Sequence, residues 1–377
     1  MTATILATGD LVLDESGIEA YFAPTASTLR SGDIVIGHIE TPYQFDAPAD
    51  ARKSGGGAPP DDPFKLAVLP QVGFNVATTS GNHVYDLGDV GVRDTLRALH
   101  SYGIVTTGSG MDLAEARQPA IIEKQGVKVG VLGYLAVGPE TGFAGTGKAG
   151  AAHVRIPGML RRGVDGGPSR EAAEADAASL AEMVRDVKAL RGGVDVVVVS
   201  FHKGIVHTPV TVLPYEKVIA HAAIDAGADV VISHHAHICR GIEIYKGKPI
   251  FHGLGNFVTV TNVLSDNPAL NPSPERLEYA RRRKAVFNFE PDAEMPSYYA
   301  FHPESRSTLI AKLIVDKTGV RETRFIPVWI DAKAYPNVVT RDGGGQKVVD
   351  YLAKITREAG LNATFRWSEK GDEVIVS

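Results

Sequence analysis

Cysteine is nearly absent. Cys239 stands alone in 377 residues, so no intrachain disulfide can form, and a lone thiol of this kind is read as a small buried filler. Long apolar runs are missing as well: none approaches the ~18 residues of a membrane-spanning helix. Met1-Thr2-Ala3-Thr4-Ile5-Leu6 runs straight into a strand with no charged segment before it, so no signal peptide is expected and the chain reads as cytoplasmic. A basic stripe is also lacking. The net charge is −5, and the one basic cluster, Arg281-Arg282-Arg283-Lys284, follows Glu275 and Glu278 in a helical pattern and reads as a solvated helix end. Nucleic acid is therefore not an expected partner. There is no internal repeat and no linker. The expected organisation is one domain over 1–330, with 331–377 as a C-terminal extension packed on it. Apolar content of 44% and charged content of 22% are ordinary for a globular chain, so a sizeable core is expected.

What the chain does contain is a series of short apolar strands, each stopping at a residue with chemistry. Thr4–Thr8 ends at Gly9-Asp10, Asp33–Gly37 at His38-Ile39-Glu40, Val72–Thr79 at Ser80-Gly81-Asn82-His83, and Val194–Ser200 at Phe201-His202-Lys203-Gly204. The most concentrated instance is Val230-Val231-Ile232-Ser233-His234-His235-Ala236-His237. In extended chain His235 and His237 point to the same side. Helical periodicity marks 89–100, 169–190, 215–226 and 346–359. Hairpins are expected at Gln125-Gly126 and Lys246-Gly247-Lys248, and an antiparallel pair at 305–316 and 321–328. The Gly/Pro-rich stretch within 41–63 and the glycine-rich 138–168 read as long loops over a site.

In an open α/β sheet, ligands bind beyond the carboxyl ends of the strands. Asp10, Glu40, Asn82, His202, His235 and His237 are therefore expected along one edge, where carboxylates, an amide and imidazoles suit one or two divalent ions of Mn, Zn, Fe, Mg or Ca. A carboxylate such as Glu40 can bridge two ions ~3.5–4 Å apart, and a metal-activated water is then a nucleophile near neutral pH. His83, next to a ligand and facing the other way, is placed to give a proton to a leaving group.

Read in order, Gly9-Asp10, His38-Ile39-Glu40, Gly81-Asn82-His83-Val84-Tyr85-Asp86, His202-Lys203-Gly204, Ser233-His234-His235-Ala236-His237 and Gly253-Leu254-Gly255-Asn256-Phe257 carry a resemblance. The chain resembles the calcineurin-like metallophosphoesterases and, more closely, the bacterial capsule-synthesis proteins of the poly-γ-glutamate type. The resemblance runs from Thr4 to about Phe257. It implies an α/β fold of layered α-β-β-α type, a sandwich of two sheets with helices outside and an extended C-terminal part. Val12 stands where the phosphoesterase pattern has a histidine, His38 replaces an asparagine, Lys203 a tryptophan and Ala236 a proline. One metal position is thereby left with only Asp10, Glu40 and His237.

The function this implies is metal-dependent hydrolysis of a small anionic ester or amide, from a small-molecule or peptide substrate, with Lys203, Arg240 and Asn256 on the substrate. A subgroup similar to the lasso-peptide epimerases suggests an alternative, inversion at a Cα with Asp10 and His302 as acid/base pair. A third expectation is a non-catalytic factor in capsule or polymer synthesis.

Overall fold

The computed structural model describes residues 1–47, 58–158, 174–270 and 274–377. The chain opens with β1 (Ala3–Leu13), β2 (Ile34–Ile39), β3 (Val76–Thr78), β4 (Val105–Thr107) and the two-residue β5 (Ser109–Gly110). β6 (Ala120–Lys124) and β7 (Val127–Leu135) form the expected hairpin at Gln125-Gly126, and β8 (Gly150–Ala151) pairs with β5. β9 (Val196–His202) and β10 (Val230–His234) are the apolar strands that lead into the histidines. β11 (Cys239–Tyr245) and β12 (Lys248–Leu254) form a second hairpin, followed by β13 (Asn256–Val260). The C-terminal third adds β14 (Ser307–Asp316), β15 (Gly319–Ile330), β16 (Pro336–Val338), β17 (Phe365–Trp367) and β18 (Val374–Val376).

These strands make two large sheets. One has the order β17-β18-β15-β14-β1-β2-β3-β4, with β13 beside β1 and β16 beside β15; the other runs β11-β12-β10-β9-β7-β6. Their apolar residues alternate between faces. Ile5, Ala7, Ile34 and Ile36 of the first sheet meet Val129, Val196, Val198 and Ile232 of the second in the core between the sheets. Leu6, Val35 and Ile39 turn outward onto α1 (Ile18–Phe22), α2 (Ala26–Leu29), α3 (Val68–Val72) and α4 (Gly88–Ser101). Val197, Val199 and Phe201 turn outward onto α5 (Leu113–Ala116), α6 (Ala177–Arg191) and α7 (Pro214–Ala226). Buried on both faces, the central strands read as continuous apolar runs. The layering is α-β-β-α, as expected. α8 (Pro274–Phe287) lies near the strand ends, and α9 (Gln346–Glu358) packs Val348, Leu352 and Ile355 into the inter-sheet core. Among the described residues no helix is long and apolar enough to cross a membrane.

Three boundaries differ from expectation. β1 does not stop at Gly9-Asp10: β13 takes up its far half in parallel, so pairing continues to Leu13. Val72 closes α3 instead of opening a strand, because Gly73 (φ 112°) caps that helix, and β3 is limited to Val76–Thr78. The helix expected from Ser169 starts at Ala177, where the Asp176 side chain accepts from Ser179 N–H; 169–173 lie outside the described residues. So do 48–57 and 159–168 of the two expected loops.

Lys203 and Arg240 are not where the sequence suggested. Both are fully buried under α7 with Glu216: Lys203 Nζ donates at 2.9 Å, and Arg240 reaches the two carboxylate oxygens at 3.1 and 3.2 Å. Neither lines the cavity described below. Lys203, next to His202, is drawn inward because α7 supplies the Glu216 carboxylate. Burial alone pushes the Glu216 carboxyl up, but the Arg240 and Lys203 charges more than offset it and hold it at about 2. Glu216→Gln leaves two buried cations uncompensated and should destabilise by ~3–5 kcal/mol in urea unfolding at neutral pH. Since the folded pKa lies below the ordinary 4.5, this stabilisation is complete above about 4.5 and is lost as pH falls through about 2. The gap between wild type and variant should therefore narrow over that window; a constant gap would contradict the ion cluster.

Candidate metal centre

Five segments bring donors to one rim. Asp10 lies in β1, Glu40 follows β2, Asn82 and His83 follow β3, His202 ends β9, and His235 and His237 follow β10. The last two do not share a side through extended chain. Both backbones are left-handed, with φ of 93° and 53°, a conformation rare for histidine that is held only where the surroundings over-determine it. Asp10 Oδ2 accepts from the His235 N–H at 3.4 Å.

The side-chain atoms converge closely. His202 Nε2 stands 2.6 Å from Asn82 Oδ1, 3.0 Å from His235 Nδ1 and 4.0 Å from Glu40 Oε1. One ring nitrogen with three acceptor-type neighbours has at most one proton to offer them. On the other side of Glu40, His237 Nε2 lies 3.3 Å from Oε1, and its Nδ1 lies 3.5 Å from Asp10 Oδ2. Ligand atoms of Glu40, His202 and His235 fall within 4.8 Å of one another, as do those of Asp10, Glu40 and His237, so Glu40 is common to both groups. Among the described residues Glu40 Oε2, Asp10 Oδ1 and His202 Nδ1 are buried without a hydrogen-bond partner, and Glu40 Oε1 has only the 3.3 Å approach of His237 Nε2. Unpartnered buried oxygens of this kind are costly in a protein interior, and a divalent cation satisfies them. The donor set fits such an ion.

The electrostatics agree. Burial lowers the basicity of His235 to about 3 and holds His202 well below its ordinary value, so both imidazoles are neutral and able to ligate. Burial also works against the charged form of His237, but Glu40 and Asp10 outweigh it and hold its pKa at about 9. Asp10 is pushed well up by burial and by the Glu40 charge. The cluster thus takes up positive charge in preference to leaving its carboxylates unbalanced.

His83 lines a cavity of about 550 Å³ that opens from the cluster. Its Nδ1 lies 2.6 Å from Asp86 Oδ2. Burial disfavours its charged form, yet the Asp86 carboxylate more than compensates and holds the imidazole above its ordinary pKa. Asn256 does not line the cavity; buried, it lies 2.9 Å from His237 Nδ1 and orients that ring. His302 does not line it either: Nδ1 accepts from the Glu304 N–H and caps a short 3-10 turn.

Three further side chains take places that the sequence did not suggest. His38 is fully buried, stacked between His202 and His234 at ring distances of 4.8 and 4.5 Å, and forms a third donor group with Asp10 and His202. His207, left-handed at φ 54°, lines the cavity and stacks on His237 at 6.0 Å. Arg283 is buried rather than solvated. The signal for it was present, since Arg276, Ala280, Arg283 and Phe287 repeat at the spacing of one helix face.

Two sheets thus bring carboxylates, an amide and imidazoles together at their strand ends. The chain belongs to the bacterial capsule synthesis protein family PGA_cap, whose pattern matches residues 4–261. It is 29% identical over 253 residues to the PGA biosynthesis protein CapA of Bacillus subtilis, a match covering 66% of this chain and 58% of that protein. It is 32% identical over 228 residues to a probable polyglutamine synthesis accessory protein of Mycobacterium tuberculosis, covering 60% and 55%. The chain therefore spans little more than half the length of these relatives. Among solved structures, the calcineurin-like phosphoesterase YfkN from Bacillus subtilis aligns over 95% of this chain and 98% of that one, with TM-score 0.41 and 15% identity, too loose a likeness to bear on the site.

Because Glu40 belongs to both donor groups, its loss should matter more than the loss of His237. Titrating Mn²⁺ or Zn²⁺ into metal-stripped protein should stabilise the wild type by about 2.7 kcal/mol at a hundredfold excess over Kd. Thermal unfolding should show that gain abolished in Glu40→Ala and only reduced in His237→Ala. An undiminished gain in Glu40→Ala would rule out the shared carboxylate.

Proposed function

We propose that this protein is a metal-dependent hydrolase of a small anionic ester or amide. The observation that carries this reading is the meeting of Asn82, His202 and His235 with Asp10 and His237 around one shared carboxylate, Glu40, beside an open cavity. A divalent ion held by these residues supplies Lewis acidity and lowers the pKa of a bound water. The chain's own contribution is positional. Asn256 holds the His237 ring, the left-handed turns aim His235 and His237, and Val12 gives the cavity an apolar wall beside Glu40. His83, with Nδ1 on Asp86, has Nε2 left to protonate a leaving group. Family membership favours a second reading, in which the protein handles poly-γ-glutamate without being a small-molecule hydrolase. Epimerisation at a Cα by Asp10 and His302 draws no support from the cavity, which neither residue lines.

The test is a panel of phosphomonoesters, phosphodiesters, γ-glutamyl and peptide amides, and poly-γ-glutamate, assayed with protein of measured metal content. Turnover of a small substrate is expected, and His83→Ala should lower kcat by ~10²–10⁴ with metal content unchanged. Inertness toward every small substrate with metal bound would sink the hydrolase reading, and action on the polymer alone would favour the second.

The Asp86 contact also fixes a pH dependence. His83 acts in its protonated form, and Asp86 raises its pKa, so activity falls as pH rises through a value above the ordinary histidine range. Asp86→Asn should shift this basic limb of kcat/KM to lower pH. An unmoved limb would assign it to another group.

A further inference from the structure

Arg283 sits in α8 with its guanidinium over two aromatic rings, 5.5 Å from the centroid of Phe289 and 5.7 Å from that of Phe301. Its Nη1 is 3.4 Å from His207 Nε2, one further N–H donates to the Ala300 carbonyl, and its buried Nε has no partner. The contrast with other arginines decides the matter. Arg240, Arg306 and Arg117 each hold a carboxylate at 3.1, 2.6 and 2.6 Å, whereas Arg283 has none among the described residues. Burial pulls its pKa down to about 10, which still leaves it charged at neutral pH. A buried cation without a counter-charge is unfavourable by several kcal/mol unless something else supplies one.

His207 adds a second free donor. A guanidinium only donates, so His207 Nε2 accepts from Arg283 and the ring proton resides on Nδ1, which is buried without a partner. Both residues line the cavity, and His207 also stacks on His237 of the donor cluster. Val12, Ile205, Val206, Leu264, Phe287 and Phe301 supply an apolar part of the wall.

We infer that Arg283, assisted by His207, anchors a single anionic group of a compact substrate whose remaining body is apolar or aromatic. This rests on the hydrolase reading and names the substrate class for it. The cavity volume of about 550 Å³ suits a small molecule. A strand of polyglutamate suits it poorly. Glu40, Asp14, Asp61 and Glu275 also line the cavity against one further cation, Arg276, so carboxylates on every residue of the ligand would outnumber the cations there and meet apolar wall. The family pattern ends at residue 261, before α8, so the anchor belongs to a part of this chain outside that match.

The test is isothermal titration of the full, metal-loaded chain with 3-phenylpropionate, with phenylphosphonate, with the neutral 3-phenylpropanamide and with poly-γ-glutamate. At least one small anion should bind, and which one does distinguishes a carboxylate from a phosphate-type substrate. A charge-assisted hydrogen bond of ~1.5–3 kcal/mol predicts that the amide binds about ten- to a hundredfold more weakly. Arg283→Gln should lose a similar factor, Arg283→Lys should recover part of it, and metal content should stay the same in both. The proposal is overturned if the amide binds as well as the anions, if neither anion binds at millimolar concentration, if Arg283→Gln retains wild-type affinity, or if the polymer binds more tightly than both small anions. Should Arg283→Gln fail to fold, the comparison of acid with amide on the wild type still decides it. Because the readout is binding, an absence of turnover would count against the hydrolase reading alone.

Discussion

Between Ala7 and Asp10 the first strand slips register against β2, and from Asp10 onward it exchanges β14 for β13 as the neighbour on its other side. Leu6 and Leu11 both pack in the helix-side core although five positions separate them, so the in-out alternation reverses across the slip. The reversal takes Asp10 to the rim, within reach of His235 and His237. Gly9 is what makes the crossing possible: a Cβ there would stand 2.1 Å from the Gly255 carbonyl oxygen. Gly255 in turn, left-handed at φ 73°, is the single residue by which the chain leaves β12 in one sheet and enters β13 in the other. β13 then places Asn256 opposite Asp10, and Asn256 holds the His237 ring. One backbone irregularity thus positions a carboxylate, an imidazole and the amide that orients it.

The charge balance of the rim depends on that geometry. Two carboxylates lie among several buried imidazoles, and burial alone would discharge all of them. It succeeds with His202, His38, His234 and His235, which remain neutral, and with Asp10, which burial and Glu40 both push up. It fails with Glu40 and His237, whose mutual attraction holds the first at about 2 and the second at about 9. The proton on His237 therefore does what a divalent ion would do, neutralising Glu40. An ion held there would have to displace that proton from beside Glu40.

Much of this was legible in the sequence because it follows from strand periodicity. Apolar runs stopping at Asp10, Glu40, Asn82, His202 and His235 are enough to predict a common edge, since parallel strands under crossover connections end on the same side. What was not legible depends on partners distant in the chain. Lys203 looked like a cation beside the metal because nothing local shows that Glu216 and Arg240 enclose it. Asn256 looked like a substrate ligand, but its place opposite Asp10 turns it to His237. The His235 and His237 turns were read as extended chain, and no propensity predicts two left-handed histidines in three residues. Arg283 was misjudged for the opposite reason: local composition, a run of four basic residues, masked the helical spacing that buries one of them.

The division between the shared and the particular falls at a definite place in the chain. The donors at the rim all lie within residues 4–261, the span of the family pattern. The cavity beyond them is closed by Leu264, α8 and Phe301, which come later, and by Val12, which stands where the resemblance leads one to expect another ligand. An imidazole at Val12 would add a donor and a hydrogen-bonding wall, whereas the isopropyl group offers neither. Without that donor, an ion on the Asp10, Glu40 and His237 side would be held by fewer groups than one on the side furnished by Asn82, His202 and His235. The same exchange makes the cavity wall apolar opposite Phe287 and Phe301. Val12 would thus bear at once on how evenly ions could be held and on how polar a ligand the cavity could take, because one side chain borders both.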